Sequence, residues 1–110
     1  IDCEPAESSY QALLNIPFDE YTFRVITFEH DYYVDRNSDV RAKSRELLLN
    51  KGYTLVVNDI SPSQGKPYED WWVDPNVVDR AIIDKLKMDG RRAKESPECV
   101  YNDEATQKWE

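Results

Sequence analysis

Two short runs in this chain bring together side chains that can move protons. Asp2, Glu4 and Glu7 form the first. The second is Glu29-His30-Asp31, directly after the apolar run Val25-Ile26-Thr27-Phe28. A histidine beside carboxylates is held in one tautomer and made more basic, which suits a general base. On this pattern Asp2 and His30 are the candidate catalytic residues. Asp2, Glu4 and His30 could also hold a metal, although their spacing follows no established ligand motif, and no metal is assigned. A competing reading applies to each acid: it caps the next helix or solvates a loop. The single histidine has a competing structural role of the same kind. Tyr68-Glu69-Asp70-Trp71-Trp72-Val73 adds two adjacent tryptophans. On a strand they point to opposite faces, so one packs on the core and the other covers a helix or walls a crevice. Arg41 to Arg45 read as the solvated face of a helix, and Cys3 as a small buried hydrophobe.

The elements that must position these groups are marked by residue type. Ser8 or Ser9 can cap a short helix through Tyr10, Leu13 and Leu14 that Pro17 ends. Tyr21 to Phe28 is β-branched and aromatic, and Val25–Phe28 is apolar enough for a central strand buried on both faces. Tyr32 to Ser38 is a loop. Ser38 or Asp39 caps a helix from Val40 to Asn50, and Gly52 stands where a left-handed residue closes it. Tyr53 to Asn58 is a strand, Ser61 to Tyr68 a loop and Trp71 to Val73 a short strand. Asp74-Pro75 opens a last helix through Val77, Val78, Ala81, Ile82 and Leu86. Helices alternating with apolar strands predict an α/β layer structure with a mostly parallel sheet and helices on both faces. Val25–Phe28 would lie between a strand ending at Asp2 and Tyr53 to Asn58. In such sheets sites form beyond the carboxyl ends of strands, where both acidic runs lie.

Composition narrows the function. The 110 residues include 22 acidic and 14 basic side chains, for a net charge of −8. Such a chain gains little from releasing counterions on a phosphate backbone or an anionic membrane, so neither nucleic acid nor membrane is an expected partner. Mean hydropathy is −0.76, and no apolar run approaches the ~20 residues of a membrane span. Two cysteines are too few for a disulfide scaffold. Gly52, Gly65 and Gly90 are isolated, so there is no phosphate-cradling turn. Ile1-Asp2-Cys3 reads as the end of a strand, and this suggests a portion of a longer protein, cytoplasmic in location. Residues 1–88 read as one α/β unit and 89–110 as a polar, flexible tail.

Ile1-Asp2-Cys3-Glu4, the Ala12-Leu13-Leu14 helix, Val25 to His30, the helix ending Gly52-Tyr53 and Glu69 to Val73 together resemble the C-terminal half of FkbM-type methyltransferases. The resemblance covers roughly Ile1 to Leu86, and it departs at Pro5, where that family usually has glycine. It implies part of a Rossmann-like class I fold and a protein that transfers the methyl of S-adenosylmethionine to a hydroxyl of a sugar or other small metabolite. Asp2 would orient that hydroxyl and His30 deprotonate it, with Glu4, Glu29 and Trp72 contacting the acceptor. The cofactor's glycine loop would lie upstream of Ile1, leaving no cofactor-binding residue in this chain and an inactive fragment on its own. Two alternatives come from other classes: a non-catalytic interaction module derived from the same fold, and a metal-dependent hydrolase using Asp2, Glu4 and His30.

Overall fold

Trp72 sets the middle of the sheet. In the computed structural model, which describes residues 1–61 and 65–87, three strands run in the order β1 (Val25–Glu29), β3 (Glu69–Val73), β2 (Thr54–Ile60). The last strand in sequence is therefore the central one, antiparallel to both neighbours, with Ile26 and Leu55 opposite Trp72. This corrects the expectation of a mostly parallel, Rossmann-like sheet. The cause is the connection between β2 and β3, which spans only residues 61 to 68. A parallel return needs a crossover of about a dozen residues or more, whereas a short connection reverses the chain into a hairpin.

β1 is likewise not the doubly buried central strand that its apolar run predicts. Its exposure alternates: Ile26 and Phe28 are buried, while Val25 is 59% exposed. β1 and β2 run in the same direction but never touch, because β3 lies between them. On its other side β1 meets the start of the chain: the Ile1 amino group donates to the Thr27 carbonyl, and the Glu29 N–H donates to the Ile1 carbonyl at 3.0 Å.

One face of the sheet carries α1 (Ala6–Leu14) and α2 (Val40–Asn50). Leu13, Val40 and Leu48 pack there with Ile26, Phe28, Tyr53 and Trp72. The other face carries α3 (Arg80–Leu86), whose Ile83 closes on Val56, Val57, Ile60 and Val73. The tryptophan pair divides between these faces. Trp72 is fully buried in the first cluster, and Trp71 is half-buried against the second.

Several local expectations shift. Pro5, not a serine, precedes α1, and the Ser9 hydroxyl reaches back from within the helix to Cys3, accepting from its N–H at 2.7 Å and donating to its carbonyl at 3.1 Å. Cys3 itself is exposed rather than buried. Gly52 closes α2 with φ +91°, as its position after the helix requires. Asp74 caps a turn by accepting from Asn76 N–H at 2.8 Å, and the helix begins only after Asp79, which accepts from Ala81 N–H at 3.0 Å. Among the described residues no helix is long and apolar enough to cross a membrane. The expected tail at 89–110 lies outside the described residues.

Candidate functional site

β1 ends on Glu29, and the chain then turns sharply. His30 and Asp31 both donate their N–H to the Tyr68 carbonyl, at 2.8 and 3.1 Å, and Tyr33 N–H donates to the Pro67 carbonyl at 3.0 Å. Asp31 adopts a left-handed backbone with φ +48°, which an aspartate tolerates better than most residues. The segment entering β3 thus stitches down the segment leaving β1. Between this turn and the start of α1 opens a cleft of about 480 Å³. Glu4, Glu7, Glu29, Asp31 and Asp35 line it, together with Tyr33 and Tyr68. Among the described residues no arginine or lysine lines it.

Packing carboxylates this closely changes their chemistry. Burial pushes Glu29 up to about 7, helped by a hydrogen bond with the Asp2 carboxyl and by the negative charges of Asp2, Asp31 and Glu69. Asp31 is also raised, first by burial and then by Glu4 and Asp2, with His30 opposing. The Tyr68 phenol is raised by burial and by Glu69, Glu29 and Asp31. Near neutral pH Glu29 therefore takes up and releases a proton.

Behind the cleft lies a second group of charges, on the α2 face. Arg45 grips Asp70 with Nε to Oδ2 at 2.8 Å and Nη2 to Oδ1 at 2.9 Å. Its Nη2 also donates to Asp59 Oδ1 at 2.9 Å. Arg41 Nη1 donates to the same oxygen at 3.0 Å, and Asp59 N–H donates to Asp70 Oδ1 at 2.9 Å. Asp59 reaches this position because the β2 register slips between Val57 and Ile60 and its backbone turns left-handed, φ +56°; such an irregularity re-aims a side chain. Burial opposes the charge on Asp70, but the adjacent His30 ring and the hydrogen-bonded Arg45 hold its carboxyl down at about 2. Two guanidinium and two carboxylate charges balance. Arg41 and Arg45 are thus not a free solvated face but the counterions of buried acids.

His30 links the two groups. It is 1% exposed, yet it forms part of the cleft lining. Its Nδ1 accepts from Tyr32 N–H at 3.2 Å, which places the ring proton on Nε2. Nε2 lies 3.3 Å from Asp70 Oδ1 and 3.5 Å from Asp59 Oδ1, aligned for a hydrogen bond with neither. Among the described residues the only trio of His, Cys, Asp or Glu side chains near enough to hold an ion is His30, Asp59 and Asp70, rather than Asp2, Glu4 and His30. That trio's carboxylates already carry Arg41 and Arg45, so a dication would add its charge to two cations already in place.

The structure brings Asp2 and Glu29 together and places Glu4 and Glu29, though not Asp2, in the cleft lining. It places His30 in the wall behind. Trp72, expected to contact an acceptor, is 0% exposed in the core and has no share in the cleft. Asp59 and Tyr33 were not singled out by sequence reasoning, and Tyr68 and Asp70 entered only as part of the run around the tryptophan pair, with no role of their own. The visible signal for the acids was a carboxylate set within an apolar strand, in Asn58-Asp59-Ile60 and Asp70-Trp71-Trp72, four-spaced arginines standing ready in the preceding helix. No family model, curated protein or solved structure matches this chain.

Proposed function

We propose that this chain forms the acceptor side of an S-adenosylmethionine-dependent O-methyltransferase-like protein, binding a hydroxyl of a sugar or other small metabolite in the cleft beside Glu29. The observation that carries the reading is the Asp2–Glu29 carboxyl pair, with Glu29 held at about 7 at the edge of a cleft of about 480 Å³. A base with that affinity for protons is half-ionised at neutral pH, where general-base catalysis is most effective. In this role Asp2 accepts a hydrogen bond from a neighbouring hydroxyl of the acceptor and so orients it. Ionised Glu29 takes the proton of the acceptor hydroxyl and leaves its oxygen nucleophilic. Tyr33 and Tyr68 offer ring faces to a sugar ring, and Glu4 and Asp31 accept from its other hydroxyls. His30, its two nitrogens turned to Tyr32 and Asp70, supports the wall rather than taking the proton.

The residues of this chain do not fit the cofactor. Gly52 closes a helix and Gly65 stands alone in a turn, so no glycine-rich run lets backbone N–H groups approach a ligand.

The test is methyl transfer by the full protein from labelled S-adenosylmethionine to a panel of neutral sugars and polyols. Glu29→Gln is expected to lower kcat by about two to four orders of magnitude, with the acceptor KM little changed. The rise of rate with pH near 7 is expected to vanish in the same variant. Unchanged kcat and pH profile in Glu29→Gln would sink the reading.

A further inference from the structure

The residue that joins the cleft to the buried charges carries an inference of its own. We propose that His30 is a proton-operated latch on the cleft wall: neutral, it pins Tyr32 and leaves Asp59 to Arg41; protonated, it drops Tyr32 and draws Asp59 away from Arg41. The idea deepens the acceptor-site reading by giving that site a regulator, and rests on it for its functional meaning.

Nδ1 holds the Tyr32 amide only while it carries no proton, since it accepts that bond at 3.2 Å. A second ring proton goes to Nδ1, where it meets the Tyr32 N–H donor to donor. The bond must then break. At the other end of the ring, Nε2–H already lies within 3.5 Å of both carboxylates. Protonation adds one positive charge to a cluster that was balanced, among groups from every neighbouring element. Asp59 comes from β2, Asp70 from β3, Arg41 and Arg45 from α2, and Glu29 and Asp31 from the chain on either side of the ring.

One cation must then loosen, and the hydrogen bonds say which. Arg45 is held by three, two to Asp70 and one to Asp59. Arg41 is held by one, to the Asp59 Oδ1 that faces His30. Arg41 is also the cation seated on the Tyr32 ring, 3.5 Å from its centroid. Two supports of Tyr32, the amide bond and the closely stacked Arg41, thus depend on one imidazole proton, while Arg36 stays on the ring at 5.4 Å. Tyr32 lies between Asp31 and Tyr33, which line the cleft. The neighbouring bonds from His30, Asp31 and Tyr33 to the Tyr68 and Pro67 carbonyls do not involve the ring, so the change is a loosening of the wall around Tyr32, not an unfolding.

The experiment is a nitrogen-15 NMR titration of the full chain without any acceptor. It follows the His30 ring nitrogens, the Tyr32 amide and the Tyr32 ring protons. The Tyr32 amide is expected to lose protection from hydrogen exchange by about five- to tenfold. Its shift and that of the Tyr32 ring should move with the midpoint of the imidazole. In His30→Asn the side-chain oxygen takes the place of Nδ1 and accepts at every pH, so the Tyr32 step should disappear. In Glu29→Gln it should survive, since that variant removes a nearby carboxyl that titrates at about 7 and leaves the imidazole in place. A Tyr32 amide that stays flat while the imidazole titrates overturns the latch, and the wild-type chain alone decides this if His30→Asn does not fold. A Tyr32 step that persists in His30→Asn, or vanishes in Glu29→Gln, overturns it as well. Because no acceptor is present, each of these outcomes leaves the acceptor-site reading standing, and absence of methyl transfer leaves the latch standing.

Discussion

Arg45 holds Asp70 through two parallel bonds of 2.8 and 2.9 Å, and it does so across the layer between α2 and the central strand, where the Asp70 side chain is 0% exposed. This fork ties the helix to the sheet at one register. Hydrophobic contacts alone would tolerate some sliding, but a bidentate guanidinium–carboxylate pair fixes both distance and angle.

Breaking that pair from one side should be severe. Asp70→Asn or Arg45→Met is expected to destabilise the chain by about 3 kcal/mol, because either removes the bidentate partner of a charge held away from water and leaves it only its weaker neighbours, Asp59 for Arg45 and His30 for Asp70. The double variant should recover part of the loss. Urea denaturation of the two single variants and the double closes the cycle. Single variants within about 0.5 kcal/mol of wild type would show that the pair contributes only as an exposed surface bridge does.

Acid should act on the same residue. The Asp70 carboxyl is lowered from 3.8 to about 2. Between those values the unfolded chain binds the proton and the folded chain does not, so stability is fully present above pH 4 and is lost as pH falls through about 2. The difference corresponds to a loss on the order of 2 kcal/mol. Unfolding free energies measured at pH 5, 3 and 2 should fall in that order. In Asp70→Asn the decline over this window should shrink.

Glu29 should act in the opposite direction. Its pKa is raised from 4.5 to about 7. Across that interval the folded chain keeps a proton that the unfolded chain has released, so this group's contribution to stability falls as pH rises from 4.5 to 7. Glu29→Gln removes the cost. The variant is expected to gain stability over wild type at pH 8 and little or none at pH 4, read from paired thermal melts. A gain of the same size at both values would mean that Glu29 is unperturbed.

Much of the element order is legible from local chemistry. Gly52 closes α2 and Val25 to Phe28 lie in a strand, because these signals are carried by a few adjacent residues. Strand direction is not a property of any residue. It is decided by the length between Ile60 and Glu69, too short for a crossover, which puts β3 antiparallel in the middle and leaves Val25 half-uncovered. The candidate site shows the same division. Asp2, Glu4, Glu29 and His30 stand out by type and by following apolar runs. Asp59 and Asp70 meet Arg41 and Arg45 only after β2 slips its register and the hairpin folds back. Trp72 looks like a ligand platform in sequence and is core for the same reason: the central strand buries its residues on both faces.

The placement of β3 also sets an order of events during synthesis. Among the described strands, β1 and β2 share no hydrogen bond with each other, and each pairs only with β3. A nascent chain that has exposed everything up to Ile60 holds two strands with no sheet to join, and its apolar edges stay open until Val73 leaves the ribosome. Sheet assembly then has to bridge the gap from Val25 to Val73 in one step. Such long-range closure is slow compared with local helix formation, and α1 and α2, too short to be stable alone, gain their packing surface only when the last strand slides between the other two.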